Sequence, residues 1–282
     1  MVIIMNENLN NENNETSIEV NKKTQNSFFK PNKIVAIIIY AVMIFLVAGF
    51  ITIGLAIIFG FAKHLDVMIV IETLSASDLS IYTPDYIKVN AMAQGWGNLI
   101  GYLIATVAVI FYMRDDIALD FKDLTGENKR KHAIWIPIFA VGFLIITLCV
   151  DSLVGLIPGV SESTNQATIE SILNNGGLVP MVISTVLLAP VVEELIYRKA
   201  IFSLAKGYGT VTCYVLSIVV FTLPHMLTSD MSNIGIWLLQ CIPYATAGGL
   251  LCLVYHKSNY NVYASICAHM LNNLVACILV FI

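Results

Sequence analysis

From residue 34 onward the chain alternates between long uninterrupted apolar blocks and short polar connectors. Seven blocks stand out: Ile34 to Phe61, Ala91 to Met113, Ala133 to Leu156, Leu178 to Leu204, Tyr208 to Leu227, Ile234 to Tyr255 and Tyr260 to Ile282. Each is about 20 residues or longer, enough to cross a hydrocarbon core of about 30 Å at about 1.5 Å per helical residue. Continuous runs, as opposed to alternating segments of about ten residues, predict helices and not a barrel, because each helix satisfies its own backbone groups inside lipid. The expected fold class is all-α, a polytopic membrane helix bundle of about seven transmembrane helices over residues 34–282.

Composition agrees: 57% of the 282 residues are hydrophobic and 12% are charged, so the lipid bilayer is the expected partner of most of the surface. Residues 1–33 are different, polar and rich in asparagine, and read as a flexible tail. The basic-then-apolar pattern comes late and its apolar run is too long for a cleavable leader, so the first span is expected to act as a signal anchor. All but two of the 15 lysines and arginines, Lys63 and Lys88, fall on one face if the seven spans alternate. That face is expected to be cytoplasmic, with the N-terminus inside. No basic cluster suits nucleic acid, and the net charge of -4 says little more. Six cysteines (Cys149, Cys213, Cys241, Cys252, Cys267 and Cys277) are scattered through the spans without a CxxC pair and read as small packing residues.

Two connectors carry more pattern than the others. The segment between the first two spans, with Asp66, Glu72, Asp78 and Asp85, is long enough for a short surface helix. Thr164 to Leu173 places Ile169, Ile172 and Leu173 at helical spacing, as for a helix lying along the membrane surface. Trp96, Trp135 and Trp237 lie near predicted span ends and read as interfacial anchors. Asn98, Asp151 and Gln240 read as interhelical or capping groups.

The chemistry begins in the fourth block, which holds Glu193, Glu194 and Arg198. A charge at the bilayer centre costs about 2.5–3.5 kcal/mol on insertion scales, so three in one span mark a functional site. Glu194 and Arg198 are four apart and share a helix face, where each reduces the cost of burying the other. Glu193 points about 100° away and is left to face another helix, which makes it the candidate general base. Pro190 weakens the local backbone ladder. The fifth block adds Phe221 and His225, four apart, and the seventh adds His269 and Asn273, also four apart. Counted from the cytoplasmic ends, Glu193 and His269 lie at similar depth and His225 lies deeper. Tyr197, beside Arg198, is a further candidate to line the cavity.

The succession EExxxR (Glu193, Glu194, Arg198), FxxxH (Phe221, His225) and HxxxN (His269, Asn273) resembles the three motifs of the CAAX prenyl protease and bacteriocin-processing family of intramembrane endopeptidases, related to the type II CAAX prenyl protease. The set covers Glu193 to Asn273 in order, within a catalytic core of about residues 178–282. The resemblance implies that Glu193 and His225 activate water, that His269 and Asn273 donate to the oxyanion, and that Glu194, Arg198 and Phe221 support the site. It implies a membrane-associated peptide or protein substrate, while the short Asn-rich tail and single seven-span unit, by composition alone, point to a bacterial cell-membrane location. The polar segment around Asn165 and Gln166 is similar to members of the family too.

Other readings compete. Two histidines and a glutamate form a common zinc set, although the HExxH arrangement is absent and Asn273 suits an oxyanion better than zinc. The expectation is therefore a cofactor-free hydrolase with zinc as the alternative. A bacteriocin self-immunity or peptide-binding protein would use the same cavity without hydrolysis. A proton-relaying transporter would predict repeat symmetry between halves, which the sequence lacks.

Overall fold

The computed structural model describes residues 31–76 and 78–282. Up to residue 30, the expected tail lies outside the described residues. Among those described the chain is all-helical. Six helices are long and apolar enough to cross a membrane: α1 (Asn32–Ala62), α3 (Pro84–Thr125), α4 (Lys129–Gly155), α6 (Leu178–Tyr208), α8 (Ile234–Lys257) and α9 (Val262–Leu279). The shorter apolar helix α7 (Thr210–Met226) occupies the fifth predicted block. Two short helices, α2 (Val67–Thr73) and α5 (Thr164–Asn174), lie in the two connectors where surface helices were expected. Asp66 and Ser163 cap them, each side chain accepting a backbone N–H of the first turn.

The second predicted block ends at Met113, but α3 continues to Thr125, and α4 starts four residues later. The stretch 114–131, read from sequence as a loop, is therefore mostly helix. Charge ends the apolar run there without ending the helical period. Asp120 in this extension is buried, accepts from Lys199 Nζ of α6 and from the backbone N–H of Val262, and so fastens the α8–α9 turn to α3. Asn261 Nδ2 donates to the Asp120 carbonyl (2.8 Å) and to Asp123 Oδ2 (3.0 Å). α1 begins ahead of Lys33, so Lys33 is helical and buried, with Nζ donating to Ser203 Oγ at 2.9 Å.

α6 sits at the centre. Of its apolar window 61% is buried inside the protein, against 39% or less for the other spans. Val192, Leu195, Ile196 and Ala200 of α6 pack with Ala105, Val109 and Met113 of α3, Phe221 of α7, Leu251 of α8 and Ala268 of α9. The peripheral helices turn Phe45, Leu46 and Phe50 (α1) or Ile138, Val141 and Ile145 (α4) outward, as lipid contact demands. The apolar helices make this an integral membrane protein.

α1 and α3 meet through Gly97 and Gly101, a GxxxG spacing that lets two backbones approach closely. A Cβ at Gly101 would stand 2.7 Å from Ala48 Cβ, and one at Gly97 would overlap the Thr52 side chain. Gly101→Val is expected to destabilise the bundle by about 1–3 kcal/mol, the usual cost of overpacking, seen as a lower melting temperature in detergent. An unchanged melting temperature would contradict this packing.

Candidate active site

Pro190 sets the local geometry of α6. The backbone widens into π-helical turns at Ile183–Leu188 and again at Leu195–Phe202, on either side of the α-helical Ala189–Glu194. Such turns are frequent at functional sites. The Ala189 N–H bonds back five residues to the Ser184 carbonyl, and the next bond in that register would need an N–H that Pro190 does not have. The Thr185 carbonyl, left over, accepts instead from Asn273 Nδ2 of α9 at 2.9 Å. The proline break in one helix is thus closed by an amide from another.

The charged residues of α6 separate as their spacing predicts. Glu194 Oε1 accepts from Arg198 Nη1 at 3.0 Å, both side chains being fully buried. Arg198 Nη2 donates to the Gly248 carbonyl of α8 at 3.0 Å, and the guanidinium carbon lies 4.7 Å from the Phe221 ring centroid. His269 Nδ1 also reaches Glu194 Oε1, at 3.0 Å. An ionised carboxylate only accepts, so His269 carries its proton on Nδ1. Glu194 and Arg198 therefore tie α6, α8 and α9 together, with Phe221 of α7 under the guanidinium.

Glu193 turns the other way, into a cavity of about 1020 Å³ that Tyr102, His225, His269 and Asn273 also line. The tyrosine hydroxyl donates to Glu193 Oε1 at 3.0 Å, leaving the second oxygen for the cavity. His225 Nδ1 lies 2.9 Å from the Phe221 carbonyl, an acceptor, so Nδ1 holds the proton and Nε2 presents a lone pair. The ring is held between Phe221 and Tyr244, with centroids 5.0 and 4.9 Å away.

His225, expected deeper than Glu193, shares its cavity. α6 runs on to Tyr208, so Glu193 and His225 stand equally far from the α6–α7 turn. His269 reaches the same level because the α8–α9 turn is drawn inward, where Lys199 Nζ contacts the Tyr260 carbonyl and Asn261 is buried.

Other sequence candidates are sorted by the same geometry. Asn98 and Asp151 line the cavity. Gln240 lines it too, and its Nε2 holds the Ser161 and Glu162 carbonyls at 2.9 and 3.1 Å. Asn165 Nδ2 reaches the Tyr244 hydroxyl at 3.4 Å, and Ser163 Oγ lies 2.7 Å from it. Tyr197 does not line the cavity: it is buried against Phe221 and its hydroxyl pairs with that of Tyr40 at 3.1 Å. Of the expected anchors, Trp96 and Trp135 are exposed, while Trp237 Nε1 donates to the Met226 carbonyl across the α7–α8 connection. Tyr102 and Tyr244 belong to no motif. Tyr102 follows Asn98 by one turn, a polar pair on one face of an apolar span, and that was the signal available for it.

Among the described residues no group of three or more His, Cys, Asp or Glu side chains is placed to hold a metal ion. Glu193, His225 and His269 line one cavity, and the two histidines hold their Nδ1 atoms on the Phe221 carbonyl and on Glu194.

Residues 175–275 match the family model described as Type II CAAX prenyl endopeptidase Rce1-like, a protease family. All three motifs lie inside that segment, and the match supports their resemblance to the CAAX protease family. An uncharacterized protein of Mycoplasma capricolum subsp. capricolum is 26% identical over 245 residues, covering 80% of this chain and 67% of that protein. No solved structure matches.

Proposed function

We propose that this chain, CAAX-protease-like over residues 175–275, is an intramembrane endopeptidase that hydrolyses a peptide bond of a membrane-associated polypeptide without a metal. The observation that carries the reading is the gathering of Glu193, His225, His269 and Asn273, from three helices, around one cavity inside the bundle.

The free oxygen of Glu193 takes a proton from a water molecule while the water oxygen attacks the scissile carbonyl carbon. The lone pair of His225 Nε2 accepts the water's other hydrogen and so orients it. The carbonyl oxygen becomes an oxyanion. His269, whose Nδ1–H is committed to Glu194, donates through Nε2 as the doubly protonated imidazolium, and Asn273 donates its second amide hydrogen. Glu193 then returns its proton to the amide nitrogen, the C–N bond breaks, and the products are a carboxylic acid and an amine. Tyr102 holds Glu193 throughout. Glu194, Arg198 and Phe221 keep the four groups in register, and a site fixed by such supports is what positional catalysis requires.

A fluorogenic peptide library tests this with protein in detergent. Wild type is expected to cleave one or more sequences at a rate indifferent to a zinc chelator, and His225→Ala is expected to lose at least about 100-fold of that rate. Loss on chelation, restored by added zinc, would overturn the metal-free mechanism.

A further inference from the structure

Apart from His269, the charged groups of the cavity are all carboxylates. Besides Glu193, Asp151, Glu162 and Glu170 line it, and among the described residues neither a lysine nor an arginine does. None of these three carboxylates takes part in a salt bridge among the described residues. Glu162 and Glu170 repel each other: burial first, and then the charge of Glu170, hold the Glu162 carboxyl above the ordinary carboxylate range. Glu193 is 4% exposed and His269 is 5% exposed, yet both keep a polar atom for the cavity, so its buried end is built to meet a polar group.

The cavity is also one-ended. Its wall is made from the last turns of α4 (Asp151, Ser152), the connector through Ser161 and the last turns of α9 (Ala276, Val280). No residue of the turns at the opposite end, 126–128, 206–209 and 257–261, lines it. Arg114, Lys122, Lys129, Arg130, Lys131, Lys199, Lys206 and Lys257 all lie toward that opposite end. Basic residues mark the cytoplasmic side of a membrane bundle.

We infer that the cavity admits a cationic polypeptide segment, and admits it from the extracytoplasmic face. The inference rests on the proposed action on a polypeptide. A volume of about 1020 Å³ is at the upper limit of small-molecule pockets, about 300–1,000 Å³, and gives an extended chain segment room to reach Glu193. Basic side chains flanking the scissile bond would replace the missing counter-charges of Asp151, Glu162 and Glu170.

Binding separates this from the hydrolytic reading. Labelled peptides with one neutral core and Lys/Arg-rich, neutral or Glu-rich flanks are titrated against Glu193→Gln protein in zwitterionic nanodiscs, with fluorescence anisotropy as readout. The cationic peptide is expected to bind at least about tenfold tighter than the neutral one at low salt. In a variant combining Asp151→Asn, Glu162→Gln and Glu170→Gln that ratio is expected to fall to about one. Equal binding of all three peptides by the parent overturns the inference, whatever wild type cleaves. A cationic preference without cleavage by wild type overturns the hydrolytic reading alone. For sidedness, Ser161→Cys and Gly207→Cys proteins in intact cells are treated with a membrane-impermeant maleimide, with the unsubstituted protein as background. Labelling of the first and not the second is expected, and the reverse overturns extracytoplasmic entry.

Discussion

Glu193→Gln is expected to lower kcat by about 10²–10⁴-fold, the usual contribution of a positioned general base, with KM changed little. The amide keeps the size of the carboxylate, and its oxygen still accepts from the Tyr102 hydroxyl, so the wall of the cavity stays as it is. What is lost is the oxygen that takes a proton from water. The melting temperature is therefore expected to hold while turnover collapses. A variant that melts early would place Glu193 among the structural residues, and one that keeps wild-type turnover would remove it from the chemistry.

Arg198→Ala is expected to act in the opposite order, on folding first. It strips a fully buried carboxylate of its closest cation, frees the Gly248 carbonyl and empties the face of Phe221. Removing one partner of a buried pair costs about 3–5 kcal/mol, a large fraction of a typical folding free energy of about 5–15 kcal/mol. Folded yield and melting temperature in detergent should both fall sharply, and activity with them. Arg198→Lys is expected to recover only part, because an ammonium lacks the planar fork that serves Glu194 and Gly248 at once. Wild-type yield and melting temperature in the alanine variant would sink this account of the pair.

The contrast between the adjacent glutamates was legible from spacing alone. Glu194 and Arg198 stand four positions apart, and a helix then fixes both the pair and the direction of Glu193. The apolar blocks and the helical spacing in Thr164 to Leu173 were equally readable, because both depend on the period of a single segment. Contacts between segments were not. Nothing near Tyr102 in the chain says that it donates to a residue 91 positions away. The motif implied that His269 and Asn273 donate to an oxyanion, and it gave no sign that each also has one polar hydrogen committed, to Glu194 and to the Thr185 carbonyl. The second commitment follows from Pro190 only once the wide turn at Ile183–Leu188 is known. The continuation of α3 to Thr125 escaped for a related reason. Hydropathy records where lipid ends, and Asp120 and Lys199 show that helix and buried pairing persist past that point.

The central claim is that water, activated at Glu193, splits a peptide bond inside this bundle. Mass spectrometry of the products tests it most directly, using a peptide selected from the library, wild-type and Glu193→Gln proteins in nanodiscs, and chelator present throughout. Wild type is predicted to give two fragments whose masses together equal the substrate plus one water, with the new carboxylate carrying the label when the reaction is run in ¹⁸O-water. Glu193→Gln is predicted to give neither within the same time. The same fragments formed at the same rate by both proteins would contradict the account.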